Sequence, residues 1–362
     1  MHIYVHIPFC ARKCPYCGFF SVAGKTYVKE YFDALEKEVF EQPVISSAER
    51  EGEMETVYFG GGTPSFVDAS YVCNALKSIR HWFSIEDGEF TVEVNPNSLD
   101  EAKARAYKEA GFNRISIGVQ SLHDDVLLTL GRLHDRNEAL HAIRIAKDAG
   151  FDNISCDLIL GVPGQREEDL YEDASCLIEA GAKHISMYSL SIEEGTPFEN
   201  KYGDKLYEFV DEELERKMYH GLRDFLKTKG FGTYEISNCA LPGYESRHNL
   251  SYWSGSEYYA FGAGSHGYLN SVRFAHPESI EEYVKDPMKR ITEEVLSEED
   301  KNKERCMLAL RTSRGMNFEL CKDYPDEIKK NLNLGYLEKT DTGYRLTSKG
   351  LDYANQVFMD FV

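Results

Sequence analysis

The chain has 362 residues, 42% of them hydrophobic, with 61 acidic against 41 basic side chains and a formal net charge of -20. That is room for one large domain with an appendage, or for two domains, and apolar content enough for a substantial core. The charge argues against a general nucleic-acid binder, which needs surplus cations to replace phosphate counterions. No apolar run approaches the roughly 20 residues that span a bilayer, and the N-terminus lacks the pattern of a secretory signal. The expected location is therefore the cytoplasm, where thiols stay reduced. Of nine cysteines, Cys73, Cys156, Cys176, Cys239, Cys306 and Cys321 are scattered singly and read as small apolar residues. The other three lie close together near the start.

In chain order, "IYVHIPF" reads as a strand leading into the cysteine-bearing stretch, and "YVKEYFDALEKEVFEQ" as a helix with apolar residues at helical spacing. "TVYFGGGTP" is a strand running into glycines, followed by the helix "ASYVCNALKSIRHWF". "FTVEVNP" precedes "LDEAKARAYKEAG", "RISIGVQS" precedes "NEALHAIRIAKDAG", and "ISCDLILGVPG" precedes "EEDLYEDASCLIEAG". The strand "HISMYSLSIEEGTP" ends the series. The later helices stop at Ala-Gly or Gly, a usual C-terminal signal. Alternation of this kind means parallel strands with helical crossovers. Six such strands predict a partial (β/α)6 barrel over residues 1–200, with reactive groups at the carboxyl ends of the strands. A Rossmann-like open sheet is the other arrangement the pattern allows.

After Gly195 the alternation stops. Residues 201–295 carry a helix, the polar-aromatic stretch "GTYEISNCALPGYESRHNLSYW" and the glycine-rich "AFGAGSHGYLN". Residues 296–362 read as a C-terminal α+β region. There Asp341, Thr342 and Gly343 turn between two short strands and a helix follows, which resembles a winged helix. Its nearly balanced charge suits a structural or partner-docking cap better than DNA binding.

Within "YVHIPFCARKCPYCGFF", Cys10, Cys14 and Cys17 stand at C-x3-C-x2-C spacing. Three thiolates so close bind zinc or an iron-sulfur cluster. Structural zinc takes four protein ligands, and the second C-x2-C knuckle it favours is absent, although a distant His or Cys can complete a zinc site. Three cysteines on a four-iron cluster leave one iron open, as catalytic metals do for a substrate or cofactor.

This spacing after the first barrel strand resembles the signature of the radical SAM superfamily. "YVHIPFC", "FGGGTP", "VEVNP", "GVQS" and "DLILGVPGQ" extend the resemblance over nearly the whole chain to the oxygen-independent coproporphyrinogen III oxidase family. It implies a [4Fe-4S] cluster on Cys10, Cys14 and Cys17, with S-adenosylmethionine chelating the open iron. It also implies cofactor contacts from Tyr4, Gly61, Gly62, Thr63, Glu93, Gln120, Arg132 and Asp157. Gly60, Gly61 and Gly62 allow close backbone approach, and they lack the Lys-Ser/Thr of a phosphate-binding loop.

Two departures set the chain apart from the oxidases it resembles. Phe19 stands where they carry a further cysteine, and Met1, His2 and Ile3 alone precede Tyr4. "RHNLSYW", Arg247 to Trp253, instead resembles the H-N-x-x-Y-W mark of the HemW haem-chaperone branch. The resemblance implies a carrier that passes haem to an acceptor protein, with His248 as candidate iron ligand and Tyr252 or Trp253 packing on the macrocycle. No catalytic residue is assigned. The enzyme alternative uses an electron donor and S-adenosylmethionine cleavage to act on a porphyrin or porphyrinogen, by decarboxylation, methylation or ring opening. His6, His266 and His276 are weaker cavity candidates.

Overall fold

The computed structural model describes residues 1–42, 56–208 and 210–361. The predicted strands form as β1 (His2–Ile7), β4 (Thr56–Gly61), β5 (Glu89–Val94), β6 (Arg114–Gln120), β7 (Asn153–Leu160) and β8 (His184–Ser189), side by side and parallel. Two short strands, β2 (Phe9–Cys10) and β3 (Val22–Ala23), lie between the first two. Helices Val28–Glu41, Ala69–Trp82, Glu101–Ala110, Arg136–Asp148 and Glu167–Ala180 make the crossovers. Their starts are fixed by side-chain caps where the chain offers them: Asp68, Asp100 and Asp135 each accept an N–H of the first turn. Gly111, at φ +108, ends its helix in the left-handed conformation that glycine adopts freely.

The sheet continues beyond the six strands. β9 (Gly232–Glu235) and β10 (Asn238–Ala240) add antiparallel to β8. On the other side β11 (Tyr258–Phe261) joins β1 in parallel, as a seventh parallel strand, followed by β12 (His266–Leu269), β13 (Val272–Ala275) and β14 (Thr292–Val295) in antiparallel order. The 12-stranded sheet stays open, with β14 and β9 as its edges. His266, one of the weaker cavity candidates, starts β12 and is exposed.

Strand alternation divides the barrel into two chemistries. Ile3, Val5, Ile7, Val57, Phe59, Val92, Ile115 and Ile117 are buried in the main apolar core. The opposite face is polar. Register aligns His2 with Thr56 and Thr56 with Glu89, then Tyr4 with Tyr58, Thr91 and Arg114, then Glu93 with Ser116, Ser155 and His184. Barrels usually fill their lumen with branched apolar side chains; this one lines it with hydrogen-bonding groups.

The C-terminal region has its own small core around Cys306, Leu310, Val357 and Phe358. β15 (Met316–Asn317), β16 (Leu337–Lys339) and β17 (Gly343–Leu346) form a three-stranded sheet in the order β15-β17-β16, beside helices Glu298–Leu310 and Pro325–Leu334. This is the winged-helix-like arrangement. It meets the barrel extension through the Glu235–Thr312 bridge and the Ile236 N–H bond to Arg311. Among the described residues no helix is long and apolar enough to cross a membrane.

Candidate cofactor site at the carboxyl end of the barrel

The cysteine loop is an excursion pinned at its base. β2 pairs with β3, Phe9 with Val22 and Cys10 with Ala23, and Val22 N–H donates to Pro8 at 2.7 Å. A turn from Cys14 to Cys17 closes its tip, and Phe198 N–H holds Pro15 at 2.9 Å. Cys10, Cys14 and Cys17 are all unpaired and partly exposed. Burial pushes the Cys10 and Cys17 thiols up; a contact with Thr63 opposes this at Cys10 and a backbone bond at Phe19 opposes it at Cys17. Phe19 itself is exposed.

A chain of contacts connects two of these thiols. Cys10 Sγ lies 3.5 Å from Thr63 Oγ1, Asn95 Nδ2 donates to that hydroxyl at 2.8 Å, and Arg132 Nη2 donates to Asn95 Oδ1 at 2.6 Å. Arg132 Nη1 ends the chain 3.6 Å from Cys14 Sγ. The cavity beside the loop is lined by Arg12, Cys14, Thr63, Asn95, Arg132 and His134, among others. Among the described residues no three His, Cys, Asp or Glu side chains form a ready cage for a single metal ion. Three neighbouring soft thiol donors with a guanidinium beside them suit an anionic iron-sulfur cluster. Asn95 was not anticipated from sequence, although it lies in the "VEVNP" stretch; an amide after a strand has many uses, and only the fold shows that it bridges Thr63 to Arg132.

The glycines are required by the chain itself. Gly61 has φ +105, and a Cβ there would meet the His6 ring at 2.6 Å; one on Gly62 would meet the Pro8 carbonyl carbon at 2.8 Å. The Gly62 and Thr63 N–H groups are taken by Ile7 and Phe9 carbonyls. Gln120 ends β6 at φ +70, a conformation that costs a non-glycine residue about 1–3 kcal/mol and recurs at ligand sites.

Deeper in the lumen, Tyr58 O–H donates to Glu93 at 2.6 Å, and Tyr4 stacks on Tyr58 with its own hydroxyl 3.0 Å from His6 Nδ1. Burial pushes the Glu93 carboxyl up to about 7 against the Tyr58 hydrogen bond, with the Asp157 charge adding to the rise. Burial also raises Asp157, opposed by Ser186 and by Arg114 and Arg132. Tyr4, Glu93 and Asp157 thus stand inside the strands, while Thr63, Gln120 and Arg132 ring the rim. Of the weaker histidines, His6 bonds the Phe20 carbonyl at 2.9 Å, and His276 is buried 3.1 Å from Glu38.

His248 is elsewhere. Helix Arg247–Trp253 lies across the amino end of the strands, capped by Ser246 and by Glu89, which accepts the Arg247 and His248 N–H groups at 3.1 and 3.0 Å. The buried His248 ring stacks under Tyr58 with centroids 5.0 Å apart. Its Nδ1 is 2.7 Å from Thr56 Oγ1 and its Nε2 2.9 Å from Tyr252 Oη. Both nitrogens of His248, the candidate haem ligand, are thus engaged inside the fold. Burial, with His2 and Arg114 nearby, holds the ring neutral, well below the usual histidine range.

Comparison with known proteins agrees with the fold. The model of the radical SAM superfamily matches residues 4–177. The "Heme chaperone HemW" of Lactococcus lactis is 35% identical over 99% of this chain and 96% of its own length; that of Bacillus subtilis is 33% identical over 99% and 98%. The solved coproporphyrinogen III oxidase (HemN) of Escherichia coli superposes with a TM-score of 0.80 at 18% identity, over 99% of this chain and 89% of that one, which shows a shared fold. The fold and its cysteine loop define a radical SAM protein. Within that superfamily the chain belongs to the HemW family.

Proposed function

We propose that this chain is a cytoplasmic haem chaperone, which binds haem and passes it to an acceptor protein. The observation that carries this reading is similarity over essentially the full length to relatives named for that role. Cys10, Cys14 and Cys17 would hold a [4Fe-4S] cluster, and Arg132, 3.6 Å from Cys14 Sγ, would offset its negative charge. Tyr4, Gly61, Gly62, Thr63, Glu93, Gln120, Arg132 and Asp157 would hold S-adenosylmethionine in the polar lumen. When bound together, the cluster and S-adenosylmethionine supply one-electron chemistry. The chain's own contribution is to orient the cofactor between Arg132 at the rim and Glu93 below, whose carboxyl can donate or accept near neutral pH. The H-N-x-x-Y-W helix acts here through the shape of the barrel floor and not through His248 ligation.

The test is an anaerobic Soret titration of cluster-reconstituted protein with haem, followed by mixing with apomyoglobin as a generic haem trap. Saturation near one haem per chain, then transfer, is the expected result. Absence of saturable binding, together with S-adenosylmethionine-dependent turnover of a porphyrinogen, would replace the chaperone by an enzyme.

A further inference from the structure

Outside the floor of the barrel, away from the cysteines, a cleft opens between three elements. One wall is a row across strands: Tyr258 on β11 pairs with Tyr268 on β12, which pairs with Arg273 on β13, so the three side chains share one face. The facing wall is helix Glu298–Leu310, where Lys301, Glu304, Arg305 and Leu308 recur at i, i+3, i+4 and i+7 and so share one side. Tyr252, Trp253 and Gly255, from the end of the floor helix, close the third side. The cavity volume is about 300 Å³, at the lower end of the roughly 300–1,000 Å³ of small-molecule sites.

The chemistry of this cleft runs against that of the whole chain. In a protein of net charge -20, it gathers Arg273, Lys301 and Arg305 against the single carboxylate Glu304. Arg273 is held by Glu304 at 2.7 Å, and Lys301 reaches the exposed Glu298 at 2.7 Å. Arg305 is exposed, and its side chain has no ion pair or hydrogen bond among the described residues. Flat rings beside one unpaired guanidinium, Arg305, and a lysine held only by an exposed carboxylate match a flat aromatic ligand that carries carboxylates. The lining contains no histidine, cysteine or methionine.

We propose that this cleft holds the haem, its macrocycle against Trp253, Tyr258 and Tyr268 and its propionates at Arg305 and Lys301. The proposal rests on the haem-carrying reading and gives it a place. Recognition is of the ring and its acids, not of the iron. A metal-free porphyrin with the same two acids therefore binds as haem does.

The experiment uses cluster-bearing, full-length protein with Trp82→Phe, which leaves Trp253 as the one tryptophan of the two in the chain. Quenching of Trp253 is followed during titration with haem, with protoporphyrin IX and with its dimethyl ester. Haem and protoporphyrin IX are expected to saturate with affinities within about threefold of each other, the ester at least about tenfold weaker, a difference of ~1.4 kcal/mol. Arg305→Glu together with Lys301→Gln weakens both acids by about tenfold or more, while Arg305→Lys stays within about threefold of the parent. Circular dichroism melts confirm that the variants fold. Haem binding that excludes protoporphyrin IX, or that ignores the double substitution, overturns the cleft and leaves the chaperone reading standing. No saturable haem binding by the parent overturns both.

Discussion

At the carboxyl end of the strands the chain leaves short turns and a cysteine loop around an open polar cavity. At the amino end it lays the helix Arg247–Trp253 across the barrel and buries an imidazole beneath Tyr58. The proposed cofactor site falls at the first end, where the candidate donors come from loops that approach one another at the rim. The second end is bound together by contacts between residues far apart in sequence: Thr56 with His248, and Glu89 with the start of the floor helix. A barrel with a polar lumen needs such a floor, since each buried polar group must find a partner.

The difference predicts separable losses. Cys14→Ala should abolish nearly all cluster iron and acid-labile sulfide after reconstitution, yet leave haem binding at the other end within about threefold. Iron and sulfide assays beside the Soret titration check this, and joint loss would mean that the two ends are not independent. Glu89→Ala should be the most damaging change to folding. It removes the acceptor of two helix-start N–H groups and the carboxylate that supports the charge of buried Arg114. Two hydrogen bonds to a charged acceptor, at about 1.5–3 kcal/mol each, set the expected loss at about 3–5 kcal/mol, to be read from urea unfolding. His248→Ala should cost about 2–4 kcal/mol, because it opens a void below Tyr58 and strips Tyr252 and Thr56 of a partner. If haem binding per folded molecule survives that substitution, the imidazole is structural.

The smallest effect depends on pH. The Glu93 carboxyl is pushed up to about 7 from 4.5, first by burial and against its Tyr58 hydrogen bond. The folded protein therefore keeps a proton that the unfolded chain releases, and stability falls as pH rises from 4.5 through 7. Glu93→Gln has no such proton to lose. Relative to wild type it should gain about 1–3 kcal/mol between pH 4 and pH 8, measured by denaturant unfolding without added cofactor. A flat difference across that range would mean that Glu93 is solvated.

The carboxyl end was legible in the sequence because its signals are local. C-x3-C-x2-C spans one loop, and each strand announces itself by the glycine or polar residue that ends it. The six-strand alternation likewise needs only neighbours in sequence. The floor was not legible. His248 looks like a ligand when read as a lone histidine beside Tyr252 and Trp253, and only the fold, which sets Thr56 on Nδ1 and Tyr252 on Nε2, shows both its nitrogens engaged. β11 escaped notice as a seventh parallel strand because it pairs with β1 from the far side of the sequence. Arg273, Lys301 and Arg305 carry no motif at all; cross-strand register and one helical face bring them together.

The most direct test of the two-ended account is a distance. Copper(II) protoporphyrin IX can stand in for haem, and pulsed dipolar EPR can then measure its separation from the reduced cluster. Strands rise about 3.3 Å per residue, and the six-residue β1 separates the cleft end from the cysteine end, so the account predicts roughly 20 Å or more. A separation under about 10 Å, or three strand residues, would place the porphyrin at the cluster mouth and contradict it.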